Sequence, residues 1–273
     1  IAFSVSMLVG LFLMWGGKFA IVVMVLLVGF ILFKSGRLHS RRKSKEEQHQ
    51  QILSSEQQLV ASCDNEVHLM LDKTLFIYKS VVEGMRDEDR KVVKKAMGEA
   101  YELYEKFKDK RDYEVVPTLE TIQMNALELE QEYVQLVGFS YEITKSLKAI
   151  TETTFRHMDN NHSAFSREQI EDLIIIYKIL SDAFAAYKKM EKSGDYSQFA
   201  LIVNMRETIL DLNPKLTKRQ IKRVKAGEST TRSSILFLNL VNESKIITLQ
   251  SSNLMKSHRN FKENYAKAGP DVN

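Results

Sequence analysis

Apolar positions in the long C-terminal part of this chain recur at helical spacing. Leu173, Ile176, Tyr177, Leu180, Phe184 and Tyr187 fall at i, i+3, i+4, i+7, i+11 and i+14, one stripe on one helix. The adjacent Ile174 and Ile175 widen that stripe, so the spacing predicts a helix buried on more than one side. Similar wide faces run through 199–212 and 235–249. Nowhere does a β-branched run alternate polar and apolar residues between turn signals. The pattern predicts helices over 46–85 (with Cys63 a candidate break), 87–109, 117–157, 166–192, 196–212, 214–226 and 229–264. Long helices joined by short loops pack as antiparallel neighbours, so the fold class expected is all-α, a helical bundle over 46–265. Residues 266–273 are expected to fray.

Capping chemistry supports these boundaries. Ser166-Arg-Glu-Gln169 is a capping-box pattern, followed by Glu171 and Asp172 where the helix dipole favours acids. Asp87, Glu88 and Asp89 open the 87–109 helix. Asn213-Pro214 reads as an N-cap followed by proline at the first helical position, with Thr217-Lys-Arg-Gln220 a second possible start.

The first 45 residues follow a different pattern. Ile1–Trp15 and Phe19–Phe33 are uncharged apolar runs separated by Gly16, Gly17 and Lys18. Each is roughly 22 Å long as a helix, short of the ~30 Å hydrocarbon core unless flanking residues help. One long helix would leave Lys18 at mid-bilayer, at a cost of about 2.5–3.5 kcal/mol. A membrane hairpin turning at Gly-Gly-Lys avoids that cost and puts Trp15 at the interface. Six Lys/Arg lie between Lys34 and Lys45, against the lone Lys18. By the positive-inside rule everything after about Lys34 is expected in the cytoplasm. A signal peptide fits poorly: no basic segment precedes the first run, and no small-x-small cleavage site follows the second. A chain opening on Ile within an apolar run is expected to be the C-terminal portion of a longer multi-pass protein.

Composition adds limits. Lys and Arg number 39 against 35 Asp and Glu, a net charge of +4. Six of the basic residues lie just after the apolar runs, so the body is near neutral and charge gives no argument for nucleic acid. The single cysteine, Cys63, excludes an intrachain disulfide and a Cys-based zinc cluster, and reads as a small helix residue. Glycine-rich phosphate loops, a Gly-x-Ser-x-Gly elbow and His-Glu-x-x-His are all absent from the sequence, and no enzyme activity or cofactor is expected.

Two clusters are candidates for binding. Lys215, Lys218, Arg219, Lys222 and Arg223 share a helix face and suit an anion or an anionic membrane surface. No aromatics are interleaved with them, which argues against single-stranded nucleic acid. His157, Asp159, Asn160, Asn161 and His162 form a dense polar cluster, either ligands or a helix-terminating turn. The turn explains the residues more simply. The i,i+4 carboxylate pairs Glu128/Glu132 and Glu168/Asp172 fit a hard cation less well than a solvated face. No metal site is expected.

Three stretches carry a resemblance: the apolar hairpin with KSGRLHSRRKSKEE, Tyr133–Leu173, and Asn213–Phe261. Together they resemble the C-terminal part of Pit-type inorganic phosphate transporters of the larger bacterial form. There the last membrane helices lead into a cytoplasmic helical domain similar to PhoU, the phosphate-uptake regulator. The resemblance implies a phosphate permease fragment whose helical domain regulates or scaffolds transport. Its implied partners are the rest of the membrane domain, the lipid bilayer and, through the full-length protein, inorganic phosphate; a homo-oligomer is compatible with it. Transport-site motifs rich in Gly, Asn and Asp are absent, so no phosphate- or cation-coordinating residue carries over. The family's Glu/Asp-x3-Asp metal motifs align with Gly138-Phe-Ser-Tyr-Glu142 and Asn239-Leu-Val-Asn-Glu243, which lack the paired acids. The alternative is a membrane-tethered signalling or structural protein acting through helix–helix pairing.

Overall fold

A computed structural model describes residues 56–121 and 127–268, and these are helical with short turns and no strand. The elements are α1 (Glu56–Arg86), α2 (Arg90–Asp109), a π turn (Lys110–Glu114), α3 (Val115–Thr121), α4 (Leu127–Asp159), α5 (Arg167–Ser193), α6 (Ala200–Lys225) and α7 (Thr231–Ala268). The all-α expectation therefore holds. The apolar hairpin, its basic tail, the start of the expected 46–85 helix and residues 269–273 lie outside the described residues. Among the described residues no helix is long and apolar enough to cross a membrane.

Helix starts follow side-chain chemistry. Ser166 Oγ accepts from the Gln169 backbone N–H at 3.3 Å, while Gln169 Oε1 accepts from the Ser166 N–H at 2.9 Å, completing the capping box. Asp89, rather than Asp87, caps α2, accepting from the backbone N–H groups of Lys91 and Val92.

Four boundaries differ from the sequence reading. Helix α1 runs unbroken through Cys63, whose small thiol packs in the core. The expected break at Asn213-Pro214 is absent, and α6 carries Pro214 in its interior. Asn213 does not cap; its Nδ2 donates to the Val241 carbonyl of α7 at 3.2 Å. Pro214 lies on the exposed side, where water can satisfy the carbonyl four residues back. The loop expected after Asp109 is instead the π turn running into α3, with Pro117 in the first turn of that helix. One extra residue in that turn rotates Lys110 inward to pair with Glu66 of α1. Finally, Ala266–Ala268 continue α7 rather than fray.

The helices pack as two consecutive three-helix groups. Helices α1, α2 and α4 form the first, and α5, α6 and α7 the second. The groups join chiefly along α4 and α7, with α1 also touching α5 and α7. One continuous core results, with Phe107, Tyr133, Tyr187, Phe237 and Phe261 fully buried. Helices α4 and α7 each bury several hydroxyls: Ser140, Thr144 and Thr151 on α4, and Ser244, Thr248 and Ser251 on α7. Thr144, Thr151, Ser244 and Thr248 donate to carbonyls of their own helix, which satisfies their hydroxyl protons. The Tyr78 hydroxyl of α1 lies 2.9 Å from Ser244 Oγ, which joins α1 to α7.

Candidate functional site

The densest convergence of chemistry-bearing side chains lies where α1, α5 and α7 meet. Each helix contributes an i,i+4 pair, and therefore two groups on one face: Asp64 and His68, Tyr187 and Glu191, His258 and Lys262. His258 is fully buried between Tyr187, whose hydroxyl lies 2.7 Å from Nδ1, and Asp64, whose Oδ1 lies 2.7 Å from Nε2. Lys262 Nζ bridges the two carboxylates, donating to Asp64 Oδ2 at 3.1 Å and to Glu191 Oε1 at 3.3 Å. His68 Nε2 lies 2.7 Å from Glu191 Oε2. The pair is out of line for a hydrogen bond, so that buried oxygen has no hydrogen-bond partner.

Electrostatics follow from this geometry. Burial pushes the Asp64 carboxyl up, but the hydrogen bonds from His258 and Lys262 outweigh it and hold the group below its ordinary range. Burial works against the Lys262 ammonium too, and Asp64 and Glu191 more than restore it, so its pKa is raised. Tyr187 is raised well above the ordinary phenol value, first by burial and then by neighbouring Tyr196 and Glu191. Ligand atoms of Asp64, Glu191 and His258 all lie within 4.8 Å of one another. Sequence reading missed this cluster because its three pairs are far apart in the chain, and each alone is an ordinary polar spacing.

The basic face divides in two. Lys215, Lys218 and Lys222 are exposed on α6. Arg219 and Arg223 instead turn toward α5, donating to Asp172 Oδ1 at 2.8 Å and Oδ2 at 2.5 Å. Among the described residues Lys215, Lys218 and Lys222 form no ion pair and face solvent, while Arg219 and Arg223 hold α6 to α5. Asp172 is thereby taken from the Glu168/Asp172 cation pairing. Glu132 of the other pair accepts from Asn260 Nδ2 of α7 at 3.0 Å.

His157, Asp159, Asn160, Asn161 and His162 close the end of α4. Asn161 takes φ 52° in the left-handed region, and the His162 backbone N–H returns to the His157 carbonyl at 3.1 Å. His157 Nε2 lies 2.9 Å from the Ser163 carbonyl, and its ring meets that of His162 edge-on. Arg232 approaches His162 at 3.3 Å, and Arg90 donates to the Asn161 side chain. Partial desolvation, Arg232 and His157 together lower the His162 pKa. At the two positions where family metal motifs align, Glu142 pairs with Lys145 at 3.0 Å, and Ser244, next to Glu243, is buried against Tyr78 of α1.

No protein-family model matches this chain, and no curated protein matches it. Among solved structures, the chain is similar to the phosphate transport system regulatory protein PhoU from Streptococcus pneumoniae. The TM-score is 0.56 with 11% identity, covering 78% of this chain and 97% of that one. At that identity the likeness shows the fold: a PhoU-like bundle of helices.

Proposed function

We propose that this chain is the C-terminal portion of an inorganic phosphate permease, its helical bundle a regulatory or scaffolding domain on the cytoplasmic side of the membrane. The observation that carries this reading is the combination of a PhoU-like fold with two apolar runs and a basic segment directly upstream. The neighbour of similar fold is a phosphate transport system regulatory protein, and the sequence resemblance to Pit-type transporters points the same way. In this reading the apolar runs are the last membrane hairpin, transport proceeds in earlier helices, and the bundle is not an enzyme. A substrate path needs polar or ionisable groups inside the membrane, and Ile1–Phe33 supplies only Ser4, Ser6 and Lys18. Exposed Lys215, Lys218 and Lys222 would meet an anion or the anionic leaflet.

The test is phosphate uptake by the full-length protein after deletion of residues 46–273. Uptake should survive with an altered set point. Complete loss in a mutant that reaches the membrane at normal abundance overturns the regulatory role. Gln at Lys215, Lys218 and Lys222 should change regulation more than maximal rate. Arg219 and Arg223 are left intact because they hold Asp172. Residues encoded upstream of Ile1 provide an independent check, since further membrane helices bearing Gly-Asn-Asp motifs fit only the permease.

One observation favours the second reading, a membrane-tethered protein acting through helix–helix pairing. Val203, Leu210, Ile221 and Val224 are exposed along one face of α6. A detergent-purified chain whose oligomer dissociates on Leu210→Asp and Ile221→Asp, together with an upstream sequence lacking transport motifs, would favour pairing.

A further inference from the structure

The α1–α5–α7 cluster joins the carboxylates of Asp64 and Glu191 to the Lys262 ammonium, with His258 and Glu191 buried and Asp64, His68 and Lys262 half-buried; the nearby Arg259 guanidinium pairs with Glu263. Glu191 is 6% exposed, and its Oε2 lacks a hydrogen-bond partner even though a histidine nitrogen lies beside it. A carboxylate as buried as Glu191, with one oxygen lacking a hydrogen-bond partner, is a place where a bound cation gains most. We propose that Asp64, His68, Glu191 and His258 form a site for a divalent transition metal of the zinc type, for which the Lys262 ammonium competes. The proposal does not depend on the permease reading.

The donor set is two imidazoles and two carboxylates, which suits Zn²⁺ and its neighbours better than Mg²⁺ or Ca²⁺. Donor atoms of Asp64, Glu191 and His258 within 4.8 Å of one another need little movement. Ligands at about 2.0–2.2 Å from a tetrahedral ion lie roughly 3.4 Å apart, so shifts of under about 1 Å would bring these three donors to an ion. His68, a third exposed, offers the fourth donor and the side from which an ion enters.

The outer shell is also present. A metal-bound imidazole usually donates its other N–H to a fixed acceptor, and Tyr187 Oη lies 2.7 Å from His258 Nδ1. Without metal, His258 Nε2 donates to Asp64 at 2.7 Å, and Nδ1 faces the Tyr187 hydroxyl. With metal, Nε2 gives its lone pair to the ion, and Nδ1–H donates to the tyrosine. Lys262, about one-third exposed, can then swing to solvent on its flexible stem. The +2 charge of the ion balances Asp64 and Glu191 without it.

The test uses the full chain in non-ionic detergent, with Zn²⁺ titrated calorimetrically and Co²⁺ followed by its visible absorption. One ion should bind per chain at micromolar or tighter affinity, and Co²⁺ should develop the intense bands of low coordination number. Asp64→Asn and His258→Gln should each weaken binding at least about tenfold, and His68→Gln should weaken it less. Lys262→Met should tighten binding at least about tenfold, a gain that no folding defect can mimic. Zn²⁺ binding that is unchanged in folded His258→Gln would be adventitious surface histidine and would overturn the site. So would the failure of wild type and Lys262→Met to bind one ion. Should His258→Gln fail to fold, His68→Gln and Lys262→Met decide the matter by opposite changes in affinity.

Discussion

Arg223 Nη2 meets Asp172 Oδ2 at 2.5 Å, with Arg223 11% and Asp172 5% exposed at the side chain. A charge that reads in sequence as part of a basic surface is therefore an inward clamp between α5 and α6. Removing one member of a buried pair leaves the other charge unpaired, at a cost of about 3–5 kcal/mol. Asp172→Ala should lower the melting temperature strongly. Arg219→Gln should cost no more than about 1 kcal/mol, because Arg219 is half exposed and water screens its share. Thermal melts of the two variants check this, and equal losses would contradict the division of the basic face.

Two glycines should respond in opposite directions to the same substitution. Gly98 sits on the exposed side of α2, and an added Cβ would meet nothing within 4 Å. Gly98→Ala should stabilise by about 0.5–1 kcal/mol through helix propensity and a less entropic unfolded chain. At Gly84, near the end of α1, a Cβ would collide with Val93 Cγ2 and crowd the Asp89 carbonyl at 3.2 Å. Gly84→Ala should cost about 1–3 kcal/mol as α1 and α2 are pushed apart. Denaturant melts decide, and stabilisation by Gly84→Ala would show that these helices are not in close contact.

The stripe on α5 was legible from spacing alone, but its width was not. Ile176 is 2% exposed, whereas Ile175, one position earlier, is 40% exposed. Asp at Ile176 should cost several kcal/mol, since it buries a charge without a partner. Asp at Ile175 should stay within about 1 kcal/mol of wild type. Matching melting temperatures for the two variants would place α5 in the wrong rotation.

These residues show which parts of the structure a sequence can reveal. The Ser166–Gln169 box and the Leu173 stripe depend on neighbours within four residues, and both were readable. Proline at 214 was misread, because its cost in a helix interior is overridden by packing of α6 on α5 and α7. The π turn at Lys110 was invisible, since its reason, Glu66, lies on another helix. The cluster around His258 escaped for the same cause: three unremarkable pairs acquire meaning only when α1, α5 and α7 converge.

Cys63 provides a test of core burial through pH. Desolvation raises its thiol from the ordinary value of 9.0 to about 12, only partly opposed by the nearby Lys110 ammonium. Between those values the folded chain keeps a proton that the unfolded chain gives up. Its contribution to stability is therefore complete below about pH 9 and falls as pH rises toward 12, by about 1 kcal/mol per pH unit. Lys110 adds in the same direction at higher pH: Glu66 raises its folded pKa above the ordinary 10.5, so that pairing is lost as pH climbs through the raised value. Buried Tyr78 and Tyr187 also titrate late, so total alkaline loss does not isolate the thiol. The difference between wild type and Cys63→Ala does. Plotted against pH, that difference should be flat below 9 and slope steadily above it. In the native state at pH 8 the thiol should resist a disulfide-exchange reagent that labels it promptly in denaturant. Rapid native labelling, or a difference curve flat up to pH 11, would mean that α1 does not bury Cys63 against α2 and α4.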